Sequence, residues 1–135
     1  MVEPPKFHDL STVEARKVRW LWKPYIPLGM ITLLEGDPGV GKSYLALHLA
    51  ASVSVGGLFP EGVRSKRGKV LYLTTEDDPA YTLRPRLEAM KGDASKVRFV
   101  EGFIAFDEPG LAALRRELKR SAPLLVIVDT LHGFL

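Results

Sequence analysis

Residues 31–55 read Ile31-Thr32-Leu33-Leu34-Glu35-Gly36-Asp37-Pro38-Gly39-Val40-Gly41-Lys42-Ser43-Tyr44-Leu45-Ala46-Leu47-His48-Leu49-Ala50-Ala51-Ser52-Val53-Ser54-Val55. A short apolar run, 31–34, ends near a glycine and predicts a strand. From Lys42 onward apolar residues recur at helical spacing until Gly56-Gly57, which predicts a helix over 42–55 with a glycine stop. Between the two, residues 36–43 match G-x-x-x-x-G-K-[ST], the phosphate-binding P-loop. By composition alone such a match arises in on the order of one sequence in two hundred of this length. Its place between a strand and a helix makes the signal stronger. Glycines let the backbone curl so that its N–H groups point at phosphate oxygens. The helix that opens at Lys42 adds its positive dipole end. The candidate nucleotide-binding residues are therefore Gly36, Asp37, Pro38, Gly39, Val40, Gly41, Lys42, Ser43 and the adjoining Tyr44. Lys42 is expected to reach the β- and γ-phosphates and Ser43 to place its hydroxyl on magnesium. The ligand this pattern calls for is a nucleoside triphosphate with Mg2+, most simply ATP.

Working outward, residues 1–19 carry Pro4-Pro5 and mixed charges without a sustained period, and read as an arm. Trp20, Trp22 and Tyr25 lie among Pro24 and Pro27, which suggests an extended segment pinned to a surface. Downstream, 56–68 is a glycine-rich loop and Val70-Leu71-Tyr72-Leu73 a second strand. A helix starts at Asp77 or Asp78 with Pro79 in its first turn, presents Leu83, Leu87 and Met90, and stops at Gly92. Pro85 inside it predicts a kink or an early 3₁₀ turn. Residues 97–100 form a third strand. A helix then opens at Pro109 and runs to Arg120, with Leu111, Leu114 and Leu118 on one face. Residues 124–128 form a fourth strand, continuously apolar as in strands buried on both faces. Strands alternating with helices predict an α/β fold: a parallel sheet with right-handed crossovers and helices on both sides.

Two further segments place acids at strand ends. Asp129 closes the apolar run Leu124-Leu125-Val126-Ile127-Val128, as in a Walker B motif, and is the candidate magnesium residue beside Ser43. Glu76 is the first acid beyond the second strand and is the candidate catalytic carboxylate, which would orient and polarise an attacking water. Lys42 is its catalytic companion. Asp77 is a lesser candidate, and one of Asp77 and Asp78 is expected to cap the helix that follows. His8, His48 and His132 are scattered; structural roles suit them better than chemistry, although His132 falls near the nucleotide edge. No spacing suggests a metal site made of protein ligands alone.

The chain has 135 residues, 46% of them hydrophobic, no cysteine and a net charge of +3. That length suits one domain. The absence of cysteine excludes a disulfide framework and fits a reducing compartment. No apolar run is long enough to span a bilayer and the first residues lack a signal-peptide core, so a cytoplasmic protein is expected. The basic excess is mild. It gathers in 64–69, Arg64-Ser65-Lys66-Arg67-Gly68-Lys69, and in Arg115, Arg116, Lys119 and Arg120. These are either a solvated loop and helix face or nucleic-acid contacts.

Taken together, Trp20-Leu21-Trp22, Ile26-Pro27-Leu28-Gly29, the P-loop, the segment from Val70 through Glu76-Asp77-Asp78-Pro79 into Leu83-Arg84-Pro85-Arg86-Leu87, and Val126-Ile127-Val128-Asp129 resemble a RecA-like P-loop ATPase. The resemblance is to the AAA-domain group that includes RepA-type hexameric replicative helicases. It covers residues 20–135, which would be the N-terminal part of such a domain. It implies a three-layer fold, a catalytic role for Glu76, magnesium assistance by Asp129, and a ring of subunits, hexameric in the family. ATP would sit between subunits, with single-stranded DNA in the central channel. It also implies a sheet ordered third, second, fourth, a further strand, then first. The further strand follows Walker B in the family, and the sequence ends six residues past Asp129. The sheet is therefore expected to be incomplete, as in a fragment, a truncated product or a chain completed by a partner, unless the first and fourth strands pair directly. The leading functional expectation is an ATPase core of a DNA replication or repair motor. A non-motor ATP-dependent regulator of a mobile element and a small-molecule kinase are the alternatives.

Overall fold

Aromatic residues and prolines shape the entry to the fold. In a computed structural model, which describes residues 2–102 and 104–135, β1 (Trp20–Trp22) and β2 (Ile26–Pro27) form a short antiparallel hairpin. The expected pinning is visible: Leu21 and Trp22 are buried, and the Trp22 ring stacks on Phe59 with centroids 5.2 Å apart. Tyr25 donates its hydroxyl to Glu61 at 3.0 Å. The arm before the hairpin, from residue 2 to 19, is exposed throughout.

The helix α1 occupies Lys42–Val55, the bounds predicted from periodicity, and ends at Gly56 in the left-handed region. The strand β3 follows at Val70–Thr74, one residue longer than expected. Next comes a single π-helical turn, Pro79–Leu83, that runs into α2 at Arg84–Ala89. Asp78, not Asp77, is the cap: one carboxylate oxygen accepts from the N–H groups of Ala80 and Tyr81, both at 2.8 Å. The irregularity foreseen from Pro85 thus lies in the turn before it and is wider than a 3₁₀ turn. Pro85 itself sits in the first turn of α2, where a proline is tolerated.

The remaining elements are β4 (Val97–Phe99), α3 (Glu108–Ser121) and β5 (Leu125–Asp129). Asp107 caps α3 by accepting from Gly110 N–H at 2.9 Å.

The sheet is parallel and three-stranded, in the order β4-β3-β5. That is the expected third, second, fourth. The central strand decides the layers, because its side chains alternate between faces. Val70 and Tyr72 pack with Leu47, Leu49, Ala50 and Val53 of α1 and Leu87 of α2. Leu71 and Leu73 pack on the other face with Phe134 and with Leu114 and Leu118 of α3. Leu111, expected to share that face, is exposed. The chain is thus α/β with helices on both sides of a parallel sheet.

Two expectations fail, for one reason. The predicted first strand, 31–34, is not a strand: it has no regular pairing, and Ile31 is 98% exposed. A strand exists only when a neighbour satisfies its backbone N–H and C=O groups. The segment does not pair with β5, so the direct pairing of first and fourth strands does not occur; the Thr32 hydroxyl donates to the Tyr25 carbonyl at 3.4 Å, but no described strand pairs with the segment's backbone. For the same reason β5 is not buried on both faces. It is an edge strand among the described residues, and Val126 remains 39% exposed.

Candidate functional site

The P-loop takes its shape from its glycines. Gly39 and Gly41 have φ of 82° and 94°, a region where a side chain is strained. A Cβ on Gly36 would come within 3.1 Å of Val40 Cγ2, so the loop closes tightly on itself there. Gly41 caps α1, and its carbonyl accepts the Leu45 N–H at 2.9 Å. The N–H groups of the first helical turn have no intrahelical acceptor and are available to an anion. The Lys42 ammonium curls back and donates to the Gly36 carbonyl. Residues 36–41 and Tyr44 are exposed, while Lys42 and Ser43 are half-buried at the root of the loop.

On the sheet side, β3 and β5 run in register so that Thr74 lies opposite Asp129. Thr74 shares a face with Tyr72, two positions earlier, and Tyr72 faces α1. The Tyr72 hydroxyl donates to Asp129 Oδ2 at 3.3 Å. The Asp129 carboxylate therefore lies on the α1 side of the sheet, the side that carries the P-loop helix. Burial, and then the charge and hydrogen bonding of Asp129, push the Tyr72 hydroxyl well above its ordinary range. It stays protonated and remains a donor. Asp77 and Arg86 also act on Tyr72, in opposite senses. The Arg86 guanidinium sits 5.4 Å from the centroid of the Tyr44 ring. Two contacts thus lie on this side of the sheet: Tyr72 with Asp129 at the strand ends, and Arg86 with Tyr44 at the first turn of α1.

Glu76 lies just past the end of β3, on the same sheet edge as Asp129, and is exposed. Its N–H donates to Thr74 Oγ1 at 3.3 Å, and the Asp77 N–H reaches the same oxygen at 3.4 Å. Thr74 thereby fixes the turn that carries both acids. Neither Glu76 nor Asp129 takes part in an ion pair among the described residues. Asp78 is committed to its cap. Of the histidines, His8 and His132 are exposed, and His48 is half-buried along α1.

Among the described residues no group of three or more His, Cys, Asp or Glu could hold a metal ion. A magnesium ion carried by a nucleotide does not need one, because phosphate oxygens and water complete its shell around one or two protein ligands. The Ser43 hydroxyl and the Asp129 carboxylate are a donor set of that kind. Among the described residues no helix is long and apolar enough to cross a membrane.

Two residues of this edge escaped the sequence reading. Tyr72 reads as one more apolar strand residue, and its contact with Asp129 depends on the register of β3 and β5, which the sequence does not show. Arg86 enters the sequence reading only as part of the segment Leu83-Arg84-Pro85-Arg86-Leu87. A third feature is an open cavity of about 260 Å³ on the opposite face, lined by Thr74, Thr75, Val100, Gly102, Ile104 and Phe134. It includes no P-loop residue.

Comparison with known proteins gives a consistent picture. A family model described as an AAA domain matches residues 2–135. The chain is 27% identical to the DNA repair protein RadA of Streptococcus pyogenes (serotype M6) over 131 residues, 97% of this chain and 25% of that protein. It is 29% identical to the DNA repair protein RadA of Streptococcus pneumoniae over 104 residues, 77% of this chain and 20% of that one. It is 41% identical to the DNA repair protein RAD51 homolog 2 of Arabidopsis thaliana over 51 residues, 38% of this chain and 13% of that one. The chain therefore spans about a quarter or less of the length of these relatives. No solved structure matches it.

Proposed function

The chain belongs to the AAA domain family, and from that premise we propose that it binds ATP with Mg2+ and forms the ATPase core of a RecA-like, helicase-type motor in DNA repair or replication. The observation that carries the reading is the convergence of two groups on one face. A P-loop opens α1, and Tyr72 holds the Asp129 carboxylate toward that helix. In this reading the loop N–H groups and Lys42 hold the phosphates, and Ser43 and Asp129 hold the magnesium. The ion, when bound, neutralises phosphate charge that builds up during transfer. Glu76 orients the attacking water. Tyr72 is a positioning residue for Asp129.

Two features support assembly with other copies. Loop residues 36–41 are exposed, so one chain offers a single wall of the site. The unpaired 31–34 segment leaves room beside β5 for a strand that the described residues do not supply. We read residues 20–135 as the N-terminal part of an ATPase domain, working in the cytoplasm in a ring whose neighbours complete the site. Residues 1–19 are its arm, of which Met1 lies outside the described residues. A small-molecule kinase of this kind would need arginines free to hold an acceptor, and Arg84, one candidate, is paired with Glu88 at 2.7 Å.

Calorimetric titration with ATP tests the reading. Saturable binding that collapses when EDTA removes magnesium is expected; absence of binding, or binding indifferent to EDTA, overturns it. Turnover stimulated by single-stranded DNA separates a motor from a non-motor regulator. Tyr72→Phe makes a finer test, since it removes only the hydroxyl. Loss of a partner to a metal-ligating carboxylate lowers metal affinity by about tenfold or more. The magnesium concentration for half-maximal ATP binding should rise by about that factor. The weak binding left in EDTA should not change.

A further inference from the structure

The edge of the sheet opposite the P-loop carries most of the chain's concentrated positive charge. In a parallel sheet all segments that enter strands meet at one end. Here hydrogen bonds tie those segments together. The Gly68 N–H donates to Val53 at the end of α1 (2.9 Å), and the Leu124 N–H donates to the Lys69 carbonyl (2.8 Å). The Asp93 N–H donates to Ser54 Oγ at 2.9 Å. The segments 64–69 and 91–96 are thereby fixed at the C-terminal end of α1, and 119–124 is tied to 64–69 at the same end of the sheet. They bring Arg64, Lys66, Arg67, Lys69, Lys91, Lys96, Lys119 and Arg120 to one end of the sheet, all exposed except the half-buried Lys96.

The negative charge on this face is small. Asp93 is the one acid in the three segments, and it is engaged. Hydrogen bonds from Ser95, and then Lys96 and Arg67, hold its carboxyl below the usual range. The nearest acids in sequence are also occupied: Glu61 accepts from Tyr25, Glu88 pairs with Arg84, and Glu117 pairs with Arg98.

Helix dipoles account for part of the pattern. Arg64 donates to the Gly56 carbonyl at the end of α1 (3.0 Å), and Lys119 and Arg120 lie in the last turn of α3. They do not account for Lys66, Arg67, Lys69 and Lys91, whose side chains make no hydrogen bond or ion pair among the described residues.

We propose that this face binds nucleic acid through its phosphodiester backbone, without reading bases, and independently of any nucleotide at the P-loop. Charge complementarity selects a polyanion. The three segments contain no aromatic residue on which a base could stack and no exposed large apolar residue that would enter a lipid surface. The outer strands stand about 10 Å apart, given a strand spacing of about 4.8 Å. With the reach of the side chains, the face suits about four phosphates. Binding should then weaken with salt at a log–log slope of about −3, somewhat steeper on duplex than on single strands.

The test is fluorescence anisotropy of labelled mixed-sequence oligonucleotides, single-stranded and duplex, across a salt series. Lys66→Glu, Arg67→Glu, Lys69→Glu and Lys91→Glu are combined in one variant. Lys6→Glu, Arg16→Glu, Lys17→Glu and Arg19→Glu in the arm form a control with the same change in net charge. The face variant should lose about tenfold or more in affinity and flatten the salt slope, while the arm variant loses less than about threefold. Circular dichroism checks folding, and the milder pair Lys66→Ala with Arg67→Ala, expected to lose about threefold, replaces the face variant if it is unfolded. Equal losses in face and arm variants overturn the proposal. So does no measurable binding by the unmodified chain, or preferential binding of phosphatidylserine vesicles. Failure of the ATPase reading would appear separately, as absent ATP binding in calorimetry with the oligonucleotide result unchanged.

Discussion

Lys42→Ala should weaken binding of ATP–magnesium by about 10- to 100-fold, because hydrogen bonds to charged groups contribute about 1.5–3 kcal/mol and a tenfold change is about 1.4 kcal/mol. The free structure explains why the loss should fall on binding and not on folding. In the absence of nucleotide the ammonium donates to the Gly36 carbonyl, an exposed neutral acceptor. Water replaces that bond when the side chain is removed, so stability should change by no more than about 1 kcal/mol. When phosphate arrives, the ammonium exchanges a carbonyl for an anionic oxygen, and charge-assisted bonds are roughly twice as strong as neutral ones. The variant lacks that exchange. Calorimetry on the two proteins, with thermal unfolding as the folding control, reads both quantities. Equal ATP affinities would remove the phosphate-binding role from the loop. A large loss of stability in the variant would mean that the Gly36 contact is structural instead.

What could be read from the sequence divides along a physical line. Features set by nearby residues were legible. The span of α1 follows from apolar spacing and Gly56, and a cap by Asp77 or Asp78 follows from the acids before Pro79, with Asp78 the one that forms it. The order of β4, β3 and β5 followed from the resemblance of the motifs and appears in the sheet. Features that depend on a distant neighbour were not legible. Ile31, Leu33 and Leu34 have the composition of a strand, but composition cannot supply a pairing ladder, and the segment has none among the described residues. The apolar run of β5 reads as buried on both faces, yet burial is a property of what lies beside it. The candidate site shows the same division. Lys42 and Ser43 are fixed by a contiguous motif. The Tyr72 contact with Asp129 joins residues on different strands and becomes visible only with the register of β3 and β5.

Glu76→Gln should abolish most hydrolysis while leaving ATP–magnesium affinity within about threefold of the unmodified chain. The substitution keeps the shape of the side chain and removes its charge and basicity. General-base assistance of this kind contributes about 10²- to 10⁴-fold, or about 3–5 kcal/mol of barrier. The carboxylate has no structural duty that would confuse the result. Glu76 is exposed and unpaired among the described residues, and the turn carrying it is held by the Thr74 hydroxyl through backbone N–H groups that the substitution leaves in place. Asp77 is the internal comparison. It belongs to the same turn, and its N–H reaches the same Thr74 oxygen, but it lies half-buried where its charge acts on Tyr72. Asp77→Asn should therefore lower turnover far less than Glu76→Gln. Phosphate release under single-turnover conditions, in whatever assembly of the protein hydrolyses ATP, measures the chemical step apart from product release. If Asp77→Asn proved the more damaging, the water-orienting role would pass to the half-buried acid, and Glu76 would be left as a solvated residue of the turn.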